Sequence, residues 1–475
     1  QEISWASGTE GDQTAENRER ALDYYFQRAR GDEVAGRSQV VSGDISAMTD
    51  AVLAQTLQAF TTDNAVSFAP QGPEDEQTAD METDICNRFI MSENDGYLQF
   101  SGALKDALLL RNGIIKVWID IRTDSSTETY EDLTPEEFLQ VTEPQPGHEI
   151  QVLEAEEGTL KLKRTITTRE LKVEAVPPEN FIYTRNHTSI YLDGIRFCAE
   201  RKFRTRSELK EMGFPKKKVD ELKSSTLDDK HDSIARNPQK LDDQQEAWEP
   251  SQDQIECWEC YLKIDRDGDG ISEQLRVIYA GQINGGTILD TQEVAWIPFA
   301  AGTVFTVPHR FEGLSLFDKL RSIEDASTAA MRQWLDNANH ANNKRIGAVE
   351  GQVNMDDLVN SRPGGVVRIK RPDALVPIES SDVGPSVAAL IQFLQSKRAE
   401  LGGAALDLQS AEAQLVGSQV GSMGLDRSYS VKEQLAAMMC RNFAETLVRT
   451  TYLLVHQTLR EFWQQPIPYQ VQGQW

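Results

Sequence analysis

The stretch SLFDKLRSIEDASTAAMRQWLDNANHANN, Ser315 to Asn343, contains no proline or glycine, and its reading decides the rest of the chain. Leu316, Leu320, Ile323, Ala326, Ala330, Trp334 and Ala338 recur at helical spacing on one narrow face, which predicts a single helix over the whole stretch. At 1.5 Å per residue that helix is about 43 Å long. Much of its apolar stripe is alanine, and Asp318, Lys319, Arg321, Glu324 and Asp325 fall on the other faces. So thin a stripe on so long a rod needs neighbours. Alanine at the contact positions lets backbones approach closely, so the stripe is buried either against copies of itself in a ring or bundle, or as an amphipathic helix on its own domain. Length alone leaves both readings open.

Beyond this helix come a strand-rich insert (Lys344 to Glu379), a second helix (Ser386 to Leu401), a Gly/Ser/Gln loop (Gly402 to Ser428) and a longer third helix (Ser430 to Trp463). Before it, the first hundred or so residues read as helices at Ala15 to Arg30, Asp44 to Phe60, Asp75 to Met91 and Tyr97 to Asn112. Thr14 is placed to cap the first, and Ser42 or Asp44 the second. From Ile114 to Tyr183 apolar and polar residues alternate, which predicts antiparallel sheet. Thr205 to Met212 reads as a short helix closed by Gly213, and Ile255 to Ile264 and Ile271 to Tyr279 read as strands. Lys223 to Ser251 lacks any apolar period and reads as a mobile connector. The fold class is α+β.

With 475 residues and 39% hydrophobic content the chain has material for several cored domains. It has no stretch of 18 apolar residues, and Gln1-Glu-Ile-Ser-Trp5 has neither a basic nor an apolar leader region, so a soluble, intracellularly made protein without a membrane partner is expected. The net charge of −26 argues against a protein that grips nucleic acid over a wide basic face. It is compatible with DNA as passing cargo, because an acidic wall repels phosphates and keeps them from sticking.

The five cysteines are scattered and expected to be reduced thiols. Cys257-Trp-Glu-Cys260 has zinc-like spacing, but no second pair follows, and a strand there points the two thiols to opposite faces. The six histidines are dispersed and the glycine pairs lack a phosphate-loop context, so no catalytic constellation is expected. Asp265-Arg-Asp267-Gly-Asp269-Gly270 matches the start of a calcium loop, yet Arg276 stands where the bidentate glutamate belongs and both flanks read as strands. A hairpin turn accounts for the same residues, and a divalent cation held by Asp265, Asp267 and Asp269 is the alternative.

At Phe311-Glu-Gly313-Leu-Ser315 the chain resembles the portal proteins of tailed bacteriophages, of the short-tailed phage type. The resemblance continues through Asp336-Asn337, Asn342-Asn343, Val349-Glu-Gly351-Gln-Val-Asn354, Asp357-Leu358, Asn360-Ser-Arg362-Pro-Gly-Gly365 and Pro372-Asp-Ala374 to Arg441-Asn-Phe443-Ala-Glu445. Shorter matches precede it in order, at Arg37-Ser-Gln-Val-Val41, Val176-Pro-Pro-Glu-Asn-Phe181, Arg204-Thr-Arg-Ser-Glu-Leu209 and Asp267-Gly-Asp269-Gly270.

The resemblance implies a non-enzymatic ring, dodecameric in the family, at one capsid vertex of the virion, assembled in the host cytoplasm. It implies residues 1–314 as wing, 315–343 as first stem helix, 344–385 as clip, 386–401 as second stem helix, 402–428 as tunnel loop and 429–475 as long wing helix and tail, with the family's crown either truncated here or small. Double-stranded DNA passes through the ring, which contacts capsid and scaffolding proteins, docks the terminase large subunit, and later carries a tail adaptor or head-completion protein. On this reading Leu316, Leu320, Ile323, Ala330 and Trp334 are inter-subunit stem contacts. Lys344, Arg345, Arg362, Arg368, Lys370 and Arg371, balanced by nearby acids, form a clip docking surface. Gln409, Gln414, Ser418, Gln419, Ser422 and Arg427 on the loop face DNA with little charge. Lys397 and Arg398 form a cationic ring in the tunnel, complement the C-terminus of their helix or pair with neighbouring acids.

Overall fold

The computed structural model describes residues 2–7, 13–60, 66–131, 137, 141–142, 148–156, 159–224, 235–236, 250–283, 285–342, 346–359, 365–378, 384–402, 434–463 and 467. Helix and antiparallel strand are mixed, as the α+β expectation requires. The chain divides into two compact units, one of residues 1–21, 51–315 and 433–475, the other of residues 22–50 and 316–432.

The larger unit is built on two antiparallel sheets. In the first, β1 (Gly113–Glu131), β2 (His148–Glu156), β3 (Thr159–Ala175) and a later strand, β9 (Phe299–Gly302), stand in the order β2-β3-β1-β9. The second is a meander of β4 (Phe181–Tyr183), β5 (Phe197–Thr205), β6 (Gln254–Ile264), β7 (Glu273–Ala280) and β8 (Thr287–Glu293). Strand β1 is long, because its pairing with β3 continues in unbroken register from Ile115 opposite Ala175 to Glu131 opposite Thr159. Ile114, Val176, Phe181, Ile195, Cys198, Tyr261, Phe299 and Phe311 share one buried cluster. Leu209, Val219, Ile255, Cys257, Ile278 and Leu289 share another.

Local signals account for several ends. Thr205 caps the helix Arg206–Glu211 in a reciprocal capping box with Glu208. The helix Glu76–Asn87 passes into a π turn, Arg88–Ser92, and the helix Gly96–Leu110 ends at Arg111, whose φ of 81° turns the chain into β1. The C-terminal helix, expected as one uninterrupted rod, runs over 434–443, widens into a π turn at Ala444–Val448 and resumes at Arg449–Phe462. The cause is close packing on β9: a Cβ on Gly302 would lie 2.6 Å from Leu447 Cβ, and Thr446 Oγ1 accepts from Thr303 N.

Most of the expected connector Lys223 to Ser251 lies outside the described residues, but Arg236 within it is anchored. Its guanidinium donates to Glu179 at 2.6 Å and to Asp106 at 3.0 Å. Cys257 and Cys260 project into different clusters, as strand alternation demands, and burial pushes both thiols up to about 12.

The smaller unit holds the long helix, Leu316–Asn342, within a residue of its expected ends. It also holds the helix Gly384–Gly402, which packs on the long helix, and the start of the helix Asp44–Leu57. Between the two long elements lie β10 (Ile346–Ala348), a short helix Met355–Val359 and β11 (Leu375–Pro377), with β10 and β11 paired antiparallel within the chain. The described residues 365–370 of this insert contribute a single bridge, Val353 to Ile369.

Candidate functional site

The long helix buries the face that its hydropathy marks only in part. Leu316, Phe317, Leu320, Glu324, Ser327, Thr328 and Ala330 are its buried residues, whereas Ala326 is exposed and Trp334 is 46% exposed. Glu324, placed by sequence on a polar outer face, has a fully buried side chain. The correction has a physical reason. The segment 30–45 crosses this side of the helix as a strap with no strand or helix partner for its backbone, so the helix must supply polar side chains there.

Glu324 Oε2 accepts from Ile45 N at 2.8 Å, in the first turn of the helix Asp44–Leu57, and Oε1 accepts from Arg30 at 2.7 Å. Arg30 also reaches Asp325 at 2.7 Å and stacks over the Tyr24 ring, while the Tyr24 hydroxyl donates to Asp325 at 2.6 Å. Thr328 Oγ1 accepts from Ser42 N, Arg332 holds Val40 O, Asp32 and Glu33, and Asp336 accepts from Ser38 N at 2.7 Å. A cavity of about 460 Å3 remains beneath the strap, lined among others by Tyr24, Arg30, Arg37, Asp325 and Arg332. Burial pushes the Glu324 carboxyl up to about 7. The Ile45 amide and Arg30 work against that rise, and Asp44 and Asp325 reinforce it.

Of the expected stem contacts, Leu316, Leu320 and Ala330 are already covered within this chain, Ile323 is half-buried and Trp334 is open to a partner. The helix Gly384–Gly402 adds exposed Leu390 and Phe393. Arg398 is not a free tunnel cation. Its guanidinium is largely buried and pairs with Asp44, whereas Lys397 pairs with Glu400 at 2.7 Å on the surface. Both thus pair with acids of this chain.

In the insert, Arg368 forms a two-pronged contact with Asp357 at 2.6 and 3.0 Å, Lys370 donates to Gly351 O, and Arg371 is exposed. Exposed Val359, Val366, Val376 and Ile378 surround them. Lys344, Arg345 and Arg362 lie outside the described residues, as do Gln409, Gln414, Ser418, Gln419, Ser422 and Arg427.

The turn between β6 and β7 brings Asp265, Asp267, Asp269 and Glu273 together, with ligand-capable oxygens within 4.8 Å of one another. Sequence reading missed Glu273, because it tested only the last place of the calcium pattern. Each aspartate already serves the turn: Asp265 accepts from Gly268 N and Gly270 N, Asp267 from Asp269 N, and Asp269 from Ile271 N. Gly268 and Gly270 adopt φ of 82° and 89°, the left-handed conformation that makes glycine necessary in this bend.

No helix among the described residues is long and apolar enough to cross a membrane. A family model, that of the phage SU10 portal protein, matches the chain over residues 1–475. No curated protein matches it.

Proposed function

Since this chain belongs to the phage SU10 portal protein family, a structural rather than enzymatic family, we propose that it assembles as a dodecameric ring at one capsid vertex. The ring is the conduit through which the genome is packaged and ejected. The observation that carries the reading is the match across the whole chain. The smaller unit supports it: two long helices joined by a small β-containing insert leave Trp334, Leu390, Phe393 and the insert's valines exposed, apolar side chains that a neighbouring subunit would cover.

In this reading Leu316–Asn342 and Gly384–Gly402 are the stem helices, residues 344–385 the clip, 402–428 the tunnel loop, and 429–475 the long wing helix leading toward the crown. The clip offers Arg368, Lys370 and Arg371 amid apolar side chains, a mixed surface suited first to the terminase large subunit and then to a tail adaptor. The acidic turn is a hairpin device, since its aspartates are committed to backbone amides. Capsid and scaffolding proteins are the remaining partners.

Sedimentation and electron microscopy of the purified protein test this directly. Rings are expected, alone or with scaffolding protein; a monomer at every concentration under both conditions overturns the reading. Deleting residues 403–427 is expected to leave the ring and impair packaging or DNA retention, and normal packaging by that deletion removes the tunnel-loop assignment.

A further inference from the structure

Most buried ionic groups in this chain are surrounded by more opposite charge than like charge; Glu324 is not. From the N-terminal segment it faces Arg30 and, one residue removed, Tyr24. From the helix Asp44–Leu57 it faces the Ile45 amide and the Asp44 carboxylate. From its own helix come Asp325 and, paired to that, Arg321, and the return helix contributes Arg398, already paired with Asp44. One guanidinium is thus shared between Glu324 and Asp325. The carboxylate is fully buried at the one point where the strap's end, a helix start and the middle of the long helix meet.

We propose that Glu324 is a protonation-controlled latch for the strap over residues 30–45. With the carboxyl neutral, the buried site carries no uncompensated charge, and the strap stays closed on the long helix. With the carboxyl ionised, closure keeps a charge out of water that Arg30 only partly offsets, and opening releases it to solvent. The polar cavity beneath the strap, lined by Arg30, Asp325 and Arg332, brings water to within one residue of the latch. The other strap contacts lack this property: Arg332 to Asp32 and Glu33, and Asp336 to Ser38 N, sit nearer the surface. The latch does not depend on the portal reading, since every group in it belongs to one chain.

Sign and size follow from the carboxyl, held near 7 when closed and returning toward 4.5 when the site is hydrated. Opening is hardest below the lower value, becomes easier as pH rises, and levels off above the upper one. Hydrogen exchange on the purified full chain reads this at the Ser42 and Ile45 amides, after correction for the intrinsic pH dependence of exchange. Their opening constant is expected to rise about 30-fold between about pH 5.5 and about pH 8. Glu324→Gln is expected to flatten the profile. Arg30→Met is expected to displace the rise to higher pH, since the guanidinium is what holds the carboxyl down, and this serves even where Glu324→Gln fails to fold. A flat profile in the unmodified chain, or a rise that survives in Glu324→Gln, overturns the proposal.

Discussion

Two buried charge clusters, one in each unit, invite comparison. In the larger unit Lys116, 5% exposed, donates to Glu200 and to Glu259, both at 2.6 Å, and Glu259 also accepts from Arg276 and the Tyr261 hydroxyl. Burial alone pushes the Glu259 carboxyl up. The charges of Lys116 and Arg276 and the hydrogen bonds from Lys116 and Tyr261 outweigh it and hold the group well below the ordinary carboxylate range. In the smaller unit Glu324 has one shared guanidinium, one amide and two acidic neighbours, and burial wins. Between these two carboxylates the compensating partners make the difference. The first cluster acts as a fixed brace and the second can be moved by a proton.

The strongest way to break this contrast is Lys116→Met. It leaves buried Glu200 with Lys202 alone and Glu259 with Arg276 alone, and is expected to cost roughly 2–4 kcal/mol, read as a lowered unfolding temperature of the larger unit in calorimetry. A loss under about 1 kcal/mol means the cluster is hydrated and is no brace.

Next in size is the pH profile of the smaller unit. A carboxyl near 7 in the folded state and near 4.5 unfolded binds its proton more tightly when folded, so its contribution is fully present below 4.5 and is lost as pH rises through 7. The loss amounts to about 3 kcal/mol for the fully buried group. Denaturation of the unmodified chain against Glu324→Gln over that window should show the difference, and parallel profiles would sink the assignment.

A smaller effect is expected at the acidic turn. Replacing Asp265, Asp267 and Asp269 together by Asn should leave ring formation intact, because asparagine Oδ1 keeps three of the turn's four amide contacts and only the one from Gly270 N to Asp265 Oδ2 is lost. Assembly that fails in this variant and returns with calcium would transfer these residues from turn to cation site. Smallest of all, Arg368→Ala removes a pair whose arginine is 75% exposed. The unfolding temperature should stay unchanged while terminase binding weakens; a drop in stability would mean that the insert relies on this pair for its fold.

Much was legible in advance where one local rule governs. The long helix kept its ends because no breaker lies between Leu316 and Asn342. The helix after Thr205 followed from its cap, and β6 and β7 from alternation on either side of an Asp-Gly turn. The buried face of the long helix was not legible. Hydropathy grouped Ala326 and Trp334 with the core and set Glu324 outside, whereas the structure exposes the first two and buries the third. The partner of Arg398 was likewise not legible, because Asp44 is far away in sequence.

Composition, spacing and turn chemistry thus determined by themselves which segments are helices and strands, that the chain is acidic, and the family resemblance that the whole-chain match supports. Tertiary structure alone decided which helical face is covered, where the π turn falls and which charges are compensated. The reason is that periodicity records the average preference of side chains for water. A strap of backbone amides needs acceptors wherever it crosses, and only the fold says that it crosses at Glu324, Thr328 and Asp336.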